Sequence, residues 1–187
     1  MAVVVMVSIA AAVAIPQVTK RMRDRRVQEA ALRIANIYRG ARMRAMGRGS
    51  AMLVRFTSGE YIVREAQRGA LEANAACAPL PVSSCTTTDW NNAAAGQYRE
   101  LPGFDVAAHG EYGTGASATS VAMQSESGGT LSSLDVCFTP LGRAFTRSDF
   151  SQELTALTSA KTAEISRSGF RTRRIVVLPN GSARLTP

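Results

Sequence analysis

The sequence predicts an α+β protein in which a long N-terminal helix precedes a β-rich globular head. Two patterns carry this prediction. Apolar residues recur every three to four positions between Val27 and Ala45, as on one face of an α-helix. From Ala51 onward they alternate with polar residues along short segments, as in half-buried strands. The chain of 187 residues suffices for one domain with an appended element and is too short for two ordinary enzyme domains.

The composition excludes several classes of protein. With 45% hydrophobic residues and three cysteines, the chain is neither collagen-like nor disordered, nor a dense disulfide scaffold. Its single histidine excludes a mechanism that needs a histidine cluster. All basic residues except Lys20 and Lys161 are arginines, so the net charge of +8 is carried by groups that bind carboxylate or phosphate through paired hydrogen bonds.

The first segment, residues 1–16, is strongly apolar. Met1 to Ile15 carries no charge, and Ser8 is its one polar side chain. About 15 residues span about 23 Å as a helix, which is less than the roughly 30 Å hydrocarbon core of a bilayer. We therefore expect the gene to start upstream of Met1. The residues predicted to enter a membrane or a filament core are Met1, Val5, Ile9, Val13, Ile15 and Pro16.

Two alternatives for this segment stay open. Ala12 to Ala14 fits the small-residue cleavage site of a secretory signal peptide, although no basic leader precedes it. An unrelated single-helix anchor is the other alternative.

The helix is predicted to continue through Pro16, which bends it without ending it, to about Met46. Gly47 and Gly49 supply the stop, so residues 17–48 form an amphipathic half. A basic collar follows the apolar segment and is interpreted as meeting lipid headgroups: Lys20, Arg21, Arg23, Arg25 and Arg26, with Asp24 as its single acid.

The head is predicted to span residues 49–187. A hairpin turns at Ser58-Gly59, and a long loop follows over residues 66–98. Further strands are predicted at residues 104–107, 117–124, 133–139 and 143–147, with a closing hairpin of residues 173–178 and 182–185. Residues 156–165 are ambiguous.

The cysteines predict one bridge and one free thiol. Cys77 and Cys85 lie in the long loop, where a short cross-link would supply order that the loop otherwise lacks, so we expect them to be paired. Cys137 lies in an alternating apolar strand and is expected to be buried and free. A bridge from Cys137 to either loop cysteine is the alternative.

No catalytic, metal or cofactor site is predicted. His109 lies in a polar turn, where a solvated histidine is the simplest interpretation, and its pairing with Cys137 as a nucleophile is disfavoured. The glycines of residues 110–115 lack the lysine and helix of a phosphate loop. Three acids without regular ligand spacing are expected to be exposed rather than to bind calcium: Asp89, Glu100 and Asp105.

Three sequence phrases carry a family resemblance. The apolar helix that closes on Ala14-Ile15-Pro16 and runs into an amphipathic helix resembles the N-terminus of type IV pilins and pseudopilins. The phrases VCFTPLGR (residues 136–143) and RRIVVLPNG (residues 173–181) are similar to those of the H-type pseudopilin and FimT/FimU minor pilin group, GspH/FimT. Together the matches follow the family order over most of the chain. Aligned by Pro16, the chain lacks the leader, the processing glycine, the following phenylalanine and the nearby glutamate.

The resemblance implies a structural subunit rather than an enzyme. A β-sheet head would pack on the C-terminal half of the helix, and the subunit would be incorporated into a type IV pilus or a type II secretion pseudopilus. The precursor would be a substrate of prepilin peptidase and would span the inner membrane once, with its head in the periplasm. Its partners would be other pilins or pseudopilins, through the N-terminal helix, and membrane lipid. Positively charged residues usually flank the cytoplasmic end of a membrane helix, so the basic collar alone would favour a cytoplasmic head. We discount this rule because the leader, which would compete on the other side, is absent from this chain.

A DNA-binding minor pilin that acts in DNA uptake is the alternative function. Arg171 and Arg173 would share one face of a strand, with Arg174 on the other face and Arg184 approaching from the partner strand. Arg167 belongs to the same cationic segment. Phe170 could stack on a base, although a lone aromatic here is more often a packing residue. The family phrase has Gly-Arg here, whereas this chain has Gly169-Phe170-Arg171. An ordinary solvated basic edge is the simpler interpretation.

Overall fold

The computed structural model of the chain describes residues 2–68, 80–109, 112–113, 118–124 and 128–186, the first fifteen of them by their backbone only. Within these residues, one helix, α1 (Ala2–Arg48), precedes eleven strands. These are β1 (Met52–Thr57), β2 (Glu60–Ala66), β3 (Tyr98–Asp105), β4 (Ser120–Gln124), β5 (Thr130–Leu131), β6 (Ser133–Phe138), β7 (Ala144–Arg147), β8 (Thr155–Ala156), β9 (Lys161–Ser166), β10 (Arg173–Val177) and β11 (Ala183–Thr186). A 3₁₀ turn (Ala93–Ala95) precedes β3.

The helix has the extent that its sequence predicts. It passes through Pro16 and ends at Arg48. Gly49 then takes a positive φ of 69°, and its N–H donates to the carbonyl of Ala45 at 3.1 Å, which stops the helix. One stripe of α1 is buried against the head: Val27, Ala30, Ala31, Ile34, Ala35, Tyr38, Ala41 and Ala45. Within the described residues, no helix has the combined length and apolar character that a membrane crossing requires.

The strands form two antiparallel sheets, and both pack against α1. The first sheet has the order β3-β2-β1-β6-β7-β8, and the second has the order β11-β10-β9-β4-β5. Helix α1 contacts β1, β2 and β6 of the first sheet and β9, β10 and β11 of the second. The predicted α+β class and the antiparallel head are therefore confirmed.

Most predicted strands are confirmed, with shifted boundaries. The Ser58-Gly59 turn joins β1 and β2, and residues 179–181 join β10 and β11. The strand predicted at residues 104–107 instead begins at Tyr98, because it pairs along the whole of β2. The ambiguous residues 156–165 contain most of β9, which the neighbouring strands β4 and β10 hold on both sides.

The central strands of the first sheet, β1 and β6, are buried on both faces. Met52, Val54 and Phe56 of β1 face the helix and belong to the main core. The alternating positions Leu53 and Cys137 belong to a second cluster on the other face, which is covered by residues 80–98 and centred on Trp90. Trp90 is fully buried, and its indole N–H donates to the carbonyl of Cys85 at 2.8 Å. The loop therefore forms part of the core rather than a surface connection.

The structure corrects the predicted cysteine pairing. Cys85 is bonded to Cys137, with the two Cα atoms 6.0 Å apart, so Cys137 is buried as predicted but not free. Cys77 lies outside the described residues. The prediction was wrong because it treated the loop as a local unit, whereas Trp90 and the second cluster carry Cys85 onto the strand that holds Cys137.

A bulge between β2 and β3 brings Gly103 against the backbone of Tyr61. The pairing shifts between Tyr61 and Val63, and a Cβ atom on Gly103 would collide with the backbone oxygen of Tyr61. We expect Gly103→Ala to lower the free energy of unfolding by about 1–3 kcal/mol through local overpacking. Urea unfolding of the full chain in mild detergent measures this loss. Gly129→Ala is the matched control, since a Cβ atom there meets nothing within 4 Å; an equal loss in both variants would contradict the prediction.

Candidate functional site

The residues considered for catalysis have structural partners. His109 Nδ1 lies 2.8 Å from the carbonyl oxygen of Asp105, and the imidazole ring packs against Phe104. Cys137 is in the disulfide and is not a thiol nucleophile. A groove of about 590 Å³ near the end of α1 contains Glu65, whose carboxylate is paired with Arg48 at 3.3 Å and Arg99 at 2.6 Å. Among the described residues that line this groove, the carboxylate of Glu65 is therefore held in ion pairs.

The three acids weighed as calcium ligands make local contacts instead. Glu100 pairs with Arg64 at 2.7 Å. Asp105 accepts from the N–H of Ala107, and Asp89 accepts from the N–H of Asn91. Among the described residues, no group of three or more His, Cys, Asp or Glu side chains is arranged to hold a metal ion.

The outward face of α1 carries an apolar stripe. Val18, Met22, Leu32 and Met43 are between 41% and 68% exposed. At about 100° per residue, their spacings of 4, 10 and 11 residues place the four side chains within about 40° on either side of one line along the helix. Exposed polar residues lie between them near the same line: Arg25, Glu29 and Asn36. At about 100° per residue this line is nearly opposite to the buried stripe of Val27 to Ala45. The helix thus has a buried apolar stripe under the head and, on the opposite face, a row of exposed apolar side chains that polar residues interrupt.

The four arginines predicted as a polyanion site are not gathered on one face. Strand β10 begins at Arg173, so Arg171 precedes the strand and the prediction that it shares a strand face with Arg173 is wrong. Arg173 faces the helix and lies 3.6 Å from Asp24. Arg174 and Arg184 share the outer face of the second sheet, where Arg174 pairs with Glu164 at 2.7 Å. DNA binding by this set stays a prediction.

A different set of arginines converges where α1 meets the head. The turn after β9 spans Arg167 to Phe170, with Gly169 at a φ of 78° in the position where a type II turn needs it. Arg167 is only 8% exposed. Burial, together with the charges of Arg23 and Arg26 on α1, lowers the pKa of its guanidinium. We call Arg23, Arg26, Arg167 and Arg173, with Asp24, the junction cluster.

The sequence indicates the helix residues of the junction cluster but not those of the head. Arg23 precedes Val27 by four residues and Arg26 precedes Ala30 by four, so both lie beside the helix stripe that packs on the head. The head residue Arg167 is about 140 residues away and is brought there by the pairing of β9 with β10. The collar interpretation treated all five basic residues alike, whereas the structure singles out two.

Comparison with known proteins gives a likeness of fold. No protein-family model and no curated protein sequence matches the chain. Two crystal structures of the type IV minor pilin FimU from Pseudomonas aeruginosa are similar to it. In one, identity is 16%, the match covers 87% of this chain and 90% of that chain, and the TM-score is 0.45. In the other, identity is 15%, the match covers 86% and 92%, and the TM-score is 0.43.

Proposed function

We propose that the chain is a structural subunit of a type IV pilus-class filament, a minor pilin or pseudopilin, rather than an enzyme. The observation that carries the proposal is the double-faced helix. One apolar stripe of α1 packs on the head, and the opposite stripe of Val18, Met22, Leu32 and Met43 is exposed. A stripe of this kind is suited to pack against the helices of neighbouring subunits.

The energetics favour such packing. Scattered exposed apolar side chains are ordinary, but four near one line of a helix form an apolar row, although Arg25, Glu29 and Asn36 interrupt it. Full transfer of such a side chain from water to an apolar contact contributes roughly 1.5–3 kcal/mol. Because these four are 41% to 68% exposed, each would contribute about 1–2 kcal/mol. Helices that place these stripes together, with the segment up to Ile15 at their centre, would form the core of a filament and leave the heads outside.

The disulfide supports a location of the head outside the cytoplasm. Cys85 and Cys137 are bonded and buried. Disulfides of this structural kind persist in oxidising compartments such as the periplasm. We propose that the precursor is processed by prepilin peptidase and waits in the inner membrane as a single-pass protein until it is assembled.

Recovery of the chain in sheared filaments tests the proposal. We expect the tagged full-length protein to be present in the sheared fraction of cells that assemble the filament. Met22→Asp combined with Leu32→Asp should reduce that amount by about tenfold or more, because two buried charges would oppose helix packing. The amount in the membrane fraction, measured by the same immunoblot, should not change.

Gln28 offers the matched control. Gln28 is exposed on the same helix beside the stripe, so Gln28→Asp adds a charge to α1 without replacing one of the apolar side chains. This variant should be incorporated as well as the unchanged protein. Absence of the unchanged protein from filaments, or equal incorporation of the stripe variant, would contradict the proposed function.

A further inference from the structure

The junction cluster has an excess of positive charge that its protein partners do not balance. The cluster comprises four guanidinium groups and one carboxylate, that of Asp24. Arg173 approaches this carboxylate at 3.6 Å, and Asp24 is itself partly exposed. Uncompensated charges that are removed from water are costly, and arginine keeps its charge at any ordinary pH.

Two of these guanidinium groups present donors without acceptors. Nη1 of Arg167 and Nε of Arg173 are buried, and neither has a hydrogen-bond partner among the described residues. Arg167 is more than nine-tenths buried. Its guanidinium carbon lies 5.9 Å from the centre of the Phe170 ring, which is a weak compensation for the missing acceptor.

We propose that the junction cluster is a binding site for a phosphate group. A phosphate offers several acceptor oxygens and at least one negative charge, so it would satisfy both free donors and offset the excess of cations. Arg23 and Arg26 contribute charge from the helix, while Arg167 and Arg173 contribute it from the turn after β9 and from β10. One phosphate at this site would therefore contact both the helix and the head.

The position of the cluster favours a lipid headgroup as the source of this phosphate. Arg23 follows Pro16, the end of the apolar segment, by seven residues, which is about 10 Å of helix. A subunit that waits in a membrane would place the cluster near the headgroup region. This assignment to lipid rests on the proposed function, whereas the phosphate site itself does not.

Thermal unfolding of the full chain in neutral detergent tests the site. Inorganic phosphate should raise the melting temperature above its value in chloride of equal ionic strength, because a ligand that binds the folded state stabilises it. Arg167→Gln and Arg173→Gln should each weaken the apparent affinity for phosphate by about tenfold or more. In buffer without phosphate, Arg167→Gln should be at least as stable as the unchanged protein, since it removes an uncompensated charge.

Arg174→Gln is the matched control. Arg174 is next to Arg173 in β10 but lies on the opposite face of the sheet, paired with Glu164. The variant loses the same charge and should keep the full response to phosphate. No stabilisation beyond that of chloride, or an equal loss in Arg174→Gln, would overturn the phosphate site.

A second arm separates the sources of the phosphate. Flotation with vesicles of phosphatidylcholine, with and without phosphatidylglycerol, measures binding to headgroups. Preferential binding to the phosphatidylglycerol vesicles that depends on Arg167 and Arg173 supports the lipid assignment. Stabilisation by inorganic phosphate, without vesicle binding that depends on Arg167 and Arg173, would overturn the lipid assignment and support a free phosphate. Binding of a single-stranded oligonucleotide, with neither phosphate nor vesicle binding, would overturn both. None of these results depends on filament assembly, which the sheared-fraction assay measures separately.

Discussion

Asp135→Asn should lower the free energy of unfolding by about 3–5 kcal/mol, because it removes the negative charge between two buried arginines. The Asp135 side chain is fully buried in β6. Its carboxylate accepts two hydrogen bonds from Arg55, each 2.8 Å long, and one from Arg147, also 2.8 Å. Asparagine has nearly the same shape but leaves both guanidinium groups without a counter-charge.

The same ion cluster fixes the covering loop to the sheet. Arg55 donates to the side-chain oxygen of Asn91 at 2.8 Å, and Asn91 donates to the carbonyl of Phe150 at 2.7 Å. Arg147 donates to the carbonyl of Gln152 at 2.9 Å. Loss of the carboxylate should therefore loosen both the loop around Trp90 and the segment after β7.

Urea unfolding of the full chain in mild detergent measures the effect. Glu100→Gln is the matched control, because Glu100 also pairs with a strand arginine, Arg64, but its side chain is 54% exposed. An exposed pair of this kind contributes up to about 1 kcal/mol. If Asp135→Asn cost no more than Glu100→Gln, the buried cluster would not have the stabilising role that its geometry indicates.

The elements that the sequence predicts well are those set by local patterns. The stripe from Val27 to Ala45 and the alternation on both sides of Ser58-Gly59 follow from helical and strand periodicity. These patterns act over a few residues, so they can be recognised without knowing which segments meet. The helix, its stop at Gly49 and the two hairpins are predictable for this reason.

Contacts between residues that are far apart in the sequence are harder to predict, although some are indicated by charged residues within apolar strands. Arg55 and Asp135 are charged residues at inward positions of apolar strands, and they are paired directly across β1 and β6. A charge in such a position indicates a buried ion pair, but the sequence does not say which strand supplies its partner. The junction cluster has the same difficulty, since Arg167 meets the helix only through the order of the second sheet.

Removal of the disulfide should have an effect of similar size. Cys85 and Cys137 are separated by 52 residues, and closure of a loop of that length corresponds to about 4 kcal/mol on the chain-entropy model. We expect the double variant Cys85→Ala with Cys137→Ala to lose about this much in urea unfolding, and we expect reduction of the unchanged protein to give a comparable loss. Alanine is preferred to serine because both positions are buried and apolar.

Cys77 provides the control for this experiment and decides between the two pairings. Cys77→Ala should leave the urea midpoint unchanged, and peptide mapping without reductant should still give the Cys85–Cys137 cross-link. A map of the unchanged protein with Cys77 joined to Cys85 would contradict the structure and restore the local pairing that the loop sequence predicts. The two pairings also differ in their energy: a loop of eight residues restricts the unfolded chain less than one of 52. The size of the loss on reduction therefore distinguishes them independently of the map.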